Sequence, residues 1–149
     1  MRNGAIADLY AESSAVLAWL LGEPESGTLA AALTDADHVV TSDLTIVECD
    51  RGLIRAQLGG RLRGAEAPSV RRTFQAAANG WDVLRISPAI VERARRPFPG
   101  DPIRTLDALH LATALAAAQT SDDFALLSLD RRVRTSARAL GLEVLPTKL

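Results

Sequence analysis

The chain has 149 residues, 48% of them hydrophobic, with 18 acidic residues against 17 lysines and arginines and a formal net charge of −1. That make-up fits one globular domain, residues 1–149, with an ordinary core; a second full domain is excluded, because domains usually need roughly 100–200 residues. One cysteine, Cys49, and two histidines, His38 and His110, exclude a disulfide framework and a metal site rich in soft ligands, so any metal must be held mainly by carboxylate oxygens.

Ile6–Ala11 reads as a short strand. A helix over Ala15–Leu21 follows, started by Ser13 or Ser14 as N-cap and stopped at Gly22. Pro24 opens a second helix to about Leu33, and His38–Ser42 reads as the next strand. Ser42 or Asp43 caps a helix whose apolar residues Leu44, Val47 and Ile54 recur at helical spacing until Gly59 and Gly60 stop it. An arginine-rich helix over Glu66–Ala78, a strand at Trp81–Ile86 and a short helix from Pro88 to about Arg95 come next. Pro97, Pro99, Gly100 and Pro102 make a loop. Thr105–Gln119 is the clearest helix, rich in alanine and leucine with no breaker inside. Phe124–Leu129 reads as a buried strand, Asp130 caps a last helix over Arg131–Leu140, and Leu142–Leu145 is the closing strand. Strands alternating with helices, with no two-residue hairpin turns, predict an α/β fold: a parallel sheet of about five strands covered by helices on both faces. In such open sheets function collects at the carboxyl ends of the strands.

The neutral total hides a division. Residues 1–50 carry nine acids and one base, 51–104 carry eleven arginines against four acids, and 105–149 carry five of each, so the segments stand at −8, +7 and 0. Sixteen arginines face one lysine, Lys148, a ratio for which a GC-rich gene is a sufficient cause given the twenty-six alanines. The clustering between Arg51 and Arg104 is the informative part, and it leaves room for an acidic pocket beside an arginine-rich flank. No window approaches the ~18 consecutive apolar residues of a membrane span. Asp8 and Glu12 fall where a signal peptide needs an apolar run, so no membrane association and a cytoplasmic location are expected.

Four acids carry the chemistry. Glu12 falls at the end of the first strand, Asp130 at the end of the fourth, Asp107 in the first turn of the clearest helix, and Glu48 inside a helix beside Cys49. In a doubly wound domain these can converge, and clustered carboxylates without histidine or cysteine suit Mg²⁺ or Mn²⁺. Each acid also has a plainer role open to it. Asp130 is a natural helix N-cap, Asp107 suits the helix dipole, Glu48 could lie on a solvated face, and Glu12 could be a simple strand-end acid.

The four stand in frames that together resemble the PIN-domain family, the metal-dependent ribonuclease fold of VapC-type toxins. The frames are Y-A-E-S-S-A-V-L-A-W-L-L-G-E at 10–23, T-S-D-L-T-I-V-E at 41–48, R-T-L-D-A-L-H-L-A-T-A at 104–114 and L-S-L-D-R-R-V-R-T-S-A-R-A-L-G-L at 127–142. They span nearly the whole chain, and the third is the most specific. The resemblance implies a PIN-like three-layer α/β/α domain in which Glu12, Glu48, Asp107 and Asp130 form the catalytic metal site, supported by the hydroxyls of Ser14 and Ser128. His110 matches the histidine after the third acid, packed behind the site. One position departs from the pattern: the family generally has aspartate where this chain has Glu12, and the extra methylene displaces the carboxylate by about 1.5 Å.

The activity so implied is hydrolysis of RNA phosphodiesters by a Mg²⁺- or Mn²⁺-activated water, with Asp107 and Glu12 as direct ligands and Asp130 and Glu48 as direct or water-mediated ones. Arginines between Arg51 and Arg104 would track the RNA backbone, while Trp81 and Phe98 serve core packing before base stacking. The resemblance also implies a homodimer and a small VapB-like antitoxin that covers the site. The alternative is a catalytically weakened PIN-fold module that binds RNA or a partner. A phosphotransfer receiver would call for a late lysine, and the only one, Lys148, lies past the final strand. Dinucleotide, P-loop and serine-hydrolase chemistries lack their glycine-framed motifs altogether.

Overall fold

Leu9, Tyr10 and Ala11 are apolar at consecutive positions, so a strand built from them needs cover on both faces. The computed structural model, which describes residues 4–149, provides that cover; the first three residues of the expected 1–149 domain lie outside the described residues. The order of elements is β1 (Asp8–Ala11), α1 (Ser13–Leu20), α2 (Ser26–Asp35), β2 (His38–Ser42), α3 (Asp43–Leu58), α4 (Glu66–Asn79), β3 (Asp82–Leu84), α5 (Pro88–Ala94), α6 (Thr105–Ala118), β4 (Phe124–Leu127), α7 (Arg131–Ala139) and β5 (Glu143–Leu145). The strands form one parallel sheet in the order β3-β2-β1-β4-β5.

Alternate residues of the strands divide between two cores. Tyr10, Val40, Leu126 and Val144 face Ile90 of α5, Leu111 of α6 and Val133 of α7. Leu9, Ala11, Val39, Ala125 and Leu127 face the opposite side, where Val16, Leu29, Leu53 and Phe74 from α1 to α4 cover them. Helices therefore lie on both faces of the sheet, in the three layers expected. No helix among the described residues is long and apolar enough to cross a membrane.

Several boundaries differ from the expected ones. α1 is capped by Glu12, whose side chain accepts from the Ser14 amide, and not by Ser13 or Ser14. Strand pairing starts at Asp8 and not at Ile6, because the Ala7 amide donates to Asp123 Oδ2 at 2.9 Å before the ladder begins. α2 starts at Ser26, two residues after Pro24, once the Ser26 amide has closed a turn onto the Glu23 carbonyl. β3 shrinks to three residues at the sheet edge, since Trp81 packs edge-on against Phe74 and Ser87 is taken as the cap of α5. β4 stops at Leu127 and not at Leu129, because the Leu129 amide donates to Ser14 Oγ at 2.9 Å.

That early stop positions the site. Past β4 the Ser128 amide donates to the Leu145 carbonyl at 3.1 Å, and the buried Arg134 guanidinium donates to the carbonyls of Ser128 at 2.8 Å and Pro146 at 2.6 Å. Arg134 thus ties the exit of β4 to the chain beyond β5. Arg134→Met is expected to lower the free energy of unfolding by about 1–3 kcal/mol, the usual cost of leaving buried polar groups unpaired. Urea denaturation of the two proteins checks this; an unchanged midpoint would show that water replaces the guanidinium at no cost.

Candidate functional site

In an open parallel sheet, neighbouring strands whose connections leave in opposite directions open a crevice at their carboxyl ends. Here those strands are β1 and β4, adjacent at the middle of the sheet. Glu12 follows the last residue of β1, Asp130 begins α7 after β4, Asp107 lies in the first turn of α6, and Glu48 projects from α3. The structure brings all four to this one edge, linked through shared side chains.

Glu12 is the most enclosed of the four, at 4% exposure. Its Oε1 accepts from Ser13 Oγ at 2.8 Å and from the Ser14 amide at 3.0 Å. Its Oε2 accepts from Ser14 Oγ and, at 2.7 Å, from Ser128 Oγ. Four donors fill the four lone-pair directions of a carboxylate. Both supporting serines singled out in the sequence, Ser14 and Ser128, therefore touch Glu12, and Ser13 joins them.

Glu48 is held from behind. His110 Nε2 lies 2.5 Å from Glu48 Oε1 and 3.8 Å from Glu12 Oε1, so Glu48 is its hydrogen-bond partner. The other ring nitrogen, Nδ1, is 3.0 Å from the Tyr10 hydroxyl, whose own proton goes to Ser42 Oγ at 3.0 Å. Burial pushes the Tyr10 phenol well above its ordinary range, so it stays protonated within this chain of contacts. Burial likewise pushes the Cys49 thiol up, and the neighbouring charges of Glu12 and Glu48 add to that shift. A neutral buried thiol has no part in metal chemistry here.

Asp107, 6% exposed, and Asp130 share a cation. Arg104 donates from Nε to Asp107 Oδ2 at 3.0 Å and from Nη2 to Asp130 Oδ2 at 2.8 Å. Its guanidinium is held above its ordinary range first by the hydrogen bond to Asp107, then by the charges of Asp107, Asp130 and Glu12. The remaining oxygen of Asp130, Oδ1, caps α7 by accepting from the amides of Arg132 at 2.9 Å and Val133 at 3.2 Å. Asp130 thus caps α7 with one oxygen and meets Arg104 at the crevice with the other.

The donor set is four carboxylates converging on one crevice, which is the chemistry a hard divalent cation takes. As these side chains stand, no three Asp, Glu, His or Cys groups among the described residues are gathered closely enough to hold an ion. The reason is visible in the contacts: Arg104, His110 and the serines already engage the carboxylates. Among the described residues Asp107 meets one cation, the exposed Arg104, and the acids around it form the all-oxygen donor set that a hard divalent ion takes.

The structure brings the four acids and both serines singled out in the sequence to one crevice; sequence reasoning left out Arg104 and Tyr10, which also line it, and gave His110 only a packing role. The three-residue spacing from Arg104 to Asp107 is the one signal that could have found the arginine. The arginine-rich segment is spread over α3, α4 and α5, and part of it is engaged elsewhere: Arg61 pairs with Glu23, Arg95 with Glu92, and Arg93 lies over the Phe98 ring at 4.0 Å. Phe98 is buried and Trp81 packs on Phe74, so both serve the core.

Tyr10→Phe is expected to cost about 1–3 kcal/mol of stability, because it removes a buried hydroxyl from between His110 and Ser42. Chemical denaturation measures it. A gain in stability would mean that the hydroxyl carries no net favourable contact.

The PIN domain family model matches residues 9–139. "Ribonuclease VapC46" of Mycobacterium tuberculosis is 31% identical over 140 residues, covering 94% of this chain and 98% of that protein. Among solved structures, Mycobacterium tuberculosis VapC20, described as a sarcin-ricin loop cleaving toxin, superposes with a TM-score of 0.60 at 15% identity, covering 85% of this chain and 93% of the other. VapBC2 from Rickettsia felis, bound to a DNA fragment from its promoter, superposes with a TM-score of 0.61 at 10% identity, covering 92% and 96%.

Proposed function

The chain belongs to the PIN-domain family, and on that premise we propose that it is a VapC-type toxin: a divalent-metal-dependent endoribonuclease of the cytoplasm that hydrolyses RNA phosphodiesters and is restrained by a small VapB-like antitoxin. The observation that carries this reading is the convergence of Glu12, Glu48, Asp107 and Asp130 at the carboxyl ends of β1 and β4, linked through Arg104, His110 and Ser128. Family members of this kind depend on a divalent metal, and the all-oxygen donor set favours Mg²⁺ or Mn²⁺ over softer ions.

Asp107 and Asp130 would hold the ion, with Glu48 held in place by His110 and Glu12 supplying charge to the same pocket from its serine cradle. When bound, such an ion supplies a water of lowered pKa and offsets charge on the phosphate. The chain's own residues do the rest. Burial of Glu12 and Asp107 keeps water from dispersing the field of the carboxylates. Exposed arginines of α3 and α4, among them Arg51, Arg55 and Arg72, bind the backbone of the RNA by charge, a contact that weakens with salt and reads no sequence. Residues 1–149 act as one PIN-like domain, and two copies pair as a homodimer.

Purified protein is expected to cleave RNA with Mg²⁺ or Mn²⁺ and to stop with chelator. Asp107→Asn should reduce cleavage by more than the roughly 10–100-fold typical of changes around a metal's ligands. Cleavage unaltered by that substitution would sink the site assignment, and RNA binding without cleavage at any metal concentration would favour a catalytically weakened binding module. Glu12→Asp is expected to keep or raise Mn²⁺ affinity in titration calorimetry, since aspartate is the stronger N-cap and still reaches the serines. Total loss of binding would show that the local backbone is built around glutamate.

A further inference from the structure

Arg104 touches the two acids that the proposed activity needs most. It precedes α6, extends across the crevice and joins carboxylates from two different helices with the two ends of one guanidinium. Nothing about the fold compels this. The arginine side chain is 62% exposed and free to rotate into solvent, whereas the Asp107 side chain is 8% exposed and fixed in its helix. Charge explains the contact. Four carboxylates share one crevice, and the planar guanidinium fork reaches Asp107 with Nε and Asp130 with Nη2 at the same time.

Asp107 and Asp130 would hold a divalent ion with the carboxylates that the guanidinium now engages, so ion and guanidinium would compete for them. The ion would carry twice the charge in a smaller radius, and the exposed arm would give way to it. The arm's charge remains, and its anchor at residue 104 keeps it at the mouth of the crevice. A free guanidinium at that place has both faces of its fork available to a phosphodiester, the anion it pairs with in bidentate geometry.

We propose that Arg104 is a metal-displaced latch: it bridges Asp107 and Asp130 until a divalent ion takes their oxygens, and then serves as the residue that binds the phosphate of the RNA undergoing cleavage. The inference rests on the metallonuclease reading above and adds to it a phosphate-binding residue and a reason why substrate contact follows metal entry. Arg104 touches the substrate in this account, so it counts among the catalytic residues.

The test uses the full chain, Arg104→Ala and Arg104→Lys, with Mn²⁺ titrated calorimetrically in the absence of RNA and RNA cleavage then followed at saturating Mn²⁺. Without the guanidinium to displace, Arg104→Ala should bind Mn²⁺ about tenfold more tightly, the order of a charge-assisted hydrogen bond that no longer has to be broken. At saturating metal the same variant should cleave RNA with a KM raised by about tenfold or more, and Arg104→Lys, which keeps the charge without the fork, should recover part of that loss. Equal or weaker Mn²⁺ binding by Arg104→Ala, with the parent binding normally, overturns the latch. Unchanged KM and kcat at saturating metal overturn the phosphate role. A parent chain that binds no Mn²⁺ and cleaves no RNA defeats the metallonuclease reading itself, an outcome separate from both. Should Arg104→Ala lose its fold by circular dichroism, Arg104→Gln, which retains a donor toward Asp107, answers the same two questions.

Discussion

Gathering acids at one place constrains this molecule. Four carboxylates meet at one edge of the sheet, and like charges brought together in partly dry surroundings each need a partner of their own. Each is offset in a different way. Glu12 is surrounded by neutral donors from three serines, Glu48 leans on a histidine, and Asp107 and Asp130 share one arginine. The division follows depth. At the most enclosed position, hydroxyls and an amide stabilise the anion without burying a second charge, which would carry its own desolvation cost. At the mouth, where solvent is near, a charged arginine can be used because most of it remains hydrated.

The sheet makes that gathering possible by continuing its hydrogen bonding past the ends of its strands. The Glu12 amide donates to the Leu127 carbonyl at 3.0 Å, one step beyond the last β1–β4 register pair, and Thr41 Oγ1 donates to the Ala11 carbonyl at 2.7 Å from the other side. The backbone that presents Glu12 is therefore fixed on both flanks before its side chain makes any contact. Ser128 is fixed similarly by Leu145 and Arg134, and its hydroxyl reaches Glu12 while accepting from the Asp130 amide at 3.1 Å. Strand pairing, helix capping and site geometry thus meet in a few residues, so a substitution there perturbs all three together.

The architecture was readable in the sequence wherever local periodicity carries it. Consecutive apolar residues at 9–11 and 125–127 announced strands buried on both faces, and the uninterrupted alanine and leucine of α6 announced the helix that bears Asp107. What escaped was set by partners far apart along the chain. His110 meets Glu48 across 62 positions and Arg104 meets Asp130 across 26, and no spacing rule relates such pairs. The strand at β3 was legible but its bounds were not: Trp81 and Ile86 are good strand residues, but at an edge with one neighbour their side chains found better cover against the helices.

Glu12 is the instructive case. An extra methylene moves a carboxylate forward only if the side chain extends, and here it folds back instead, so that Oε1 meets the Ser14 amide and the Ser13 hydroxyl and Oε2 meets the hydroxyls of Ser14 and Ser128. The residue that departs from the family pattern is also the one whose oxygens are filled by uncharged donors. Such donors hold an anion in place but offset none of its charge, whereas the Arg104 guanidinium on Asp107 and Asp130 is a cation that another cation can replace. The oxygens that meet an exposed cation are accordingly those of Asp107 and Asp130, while Glu12 is held by its serines. A glutamate fits at that position because its folded side chain accepts four hydrogen bonds at once.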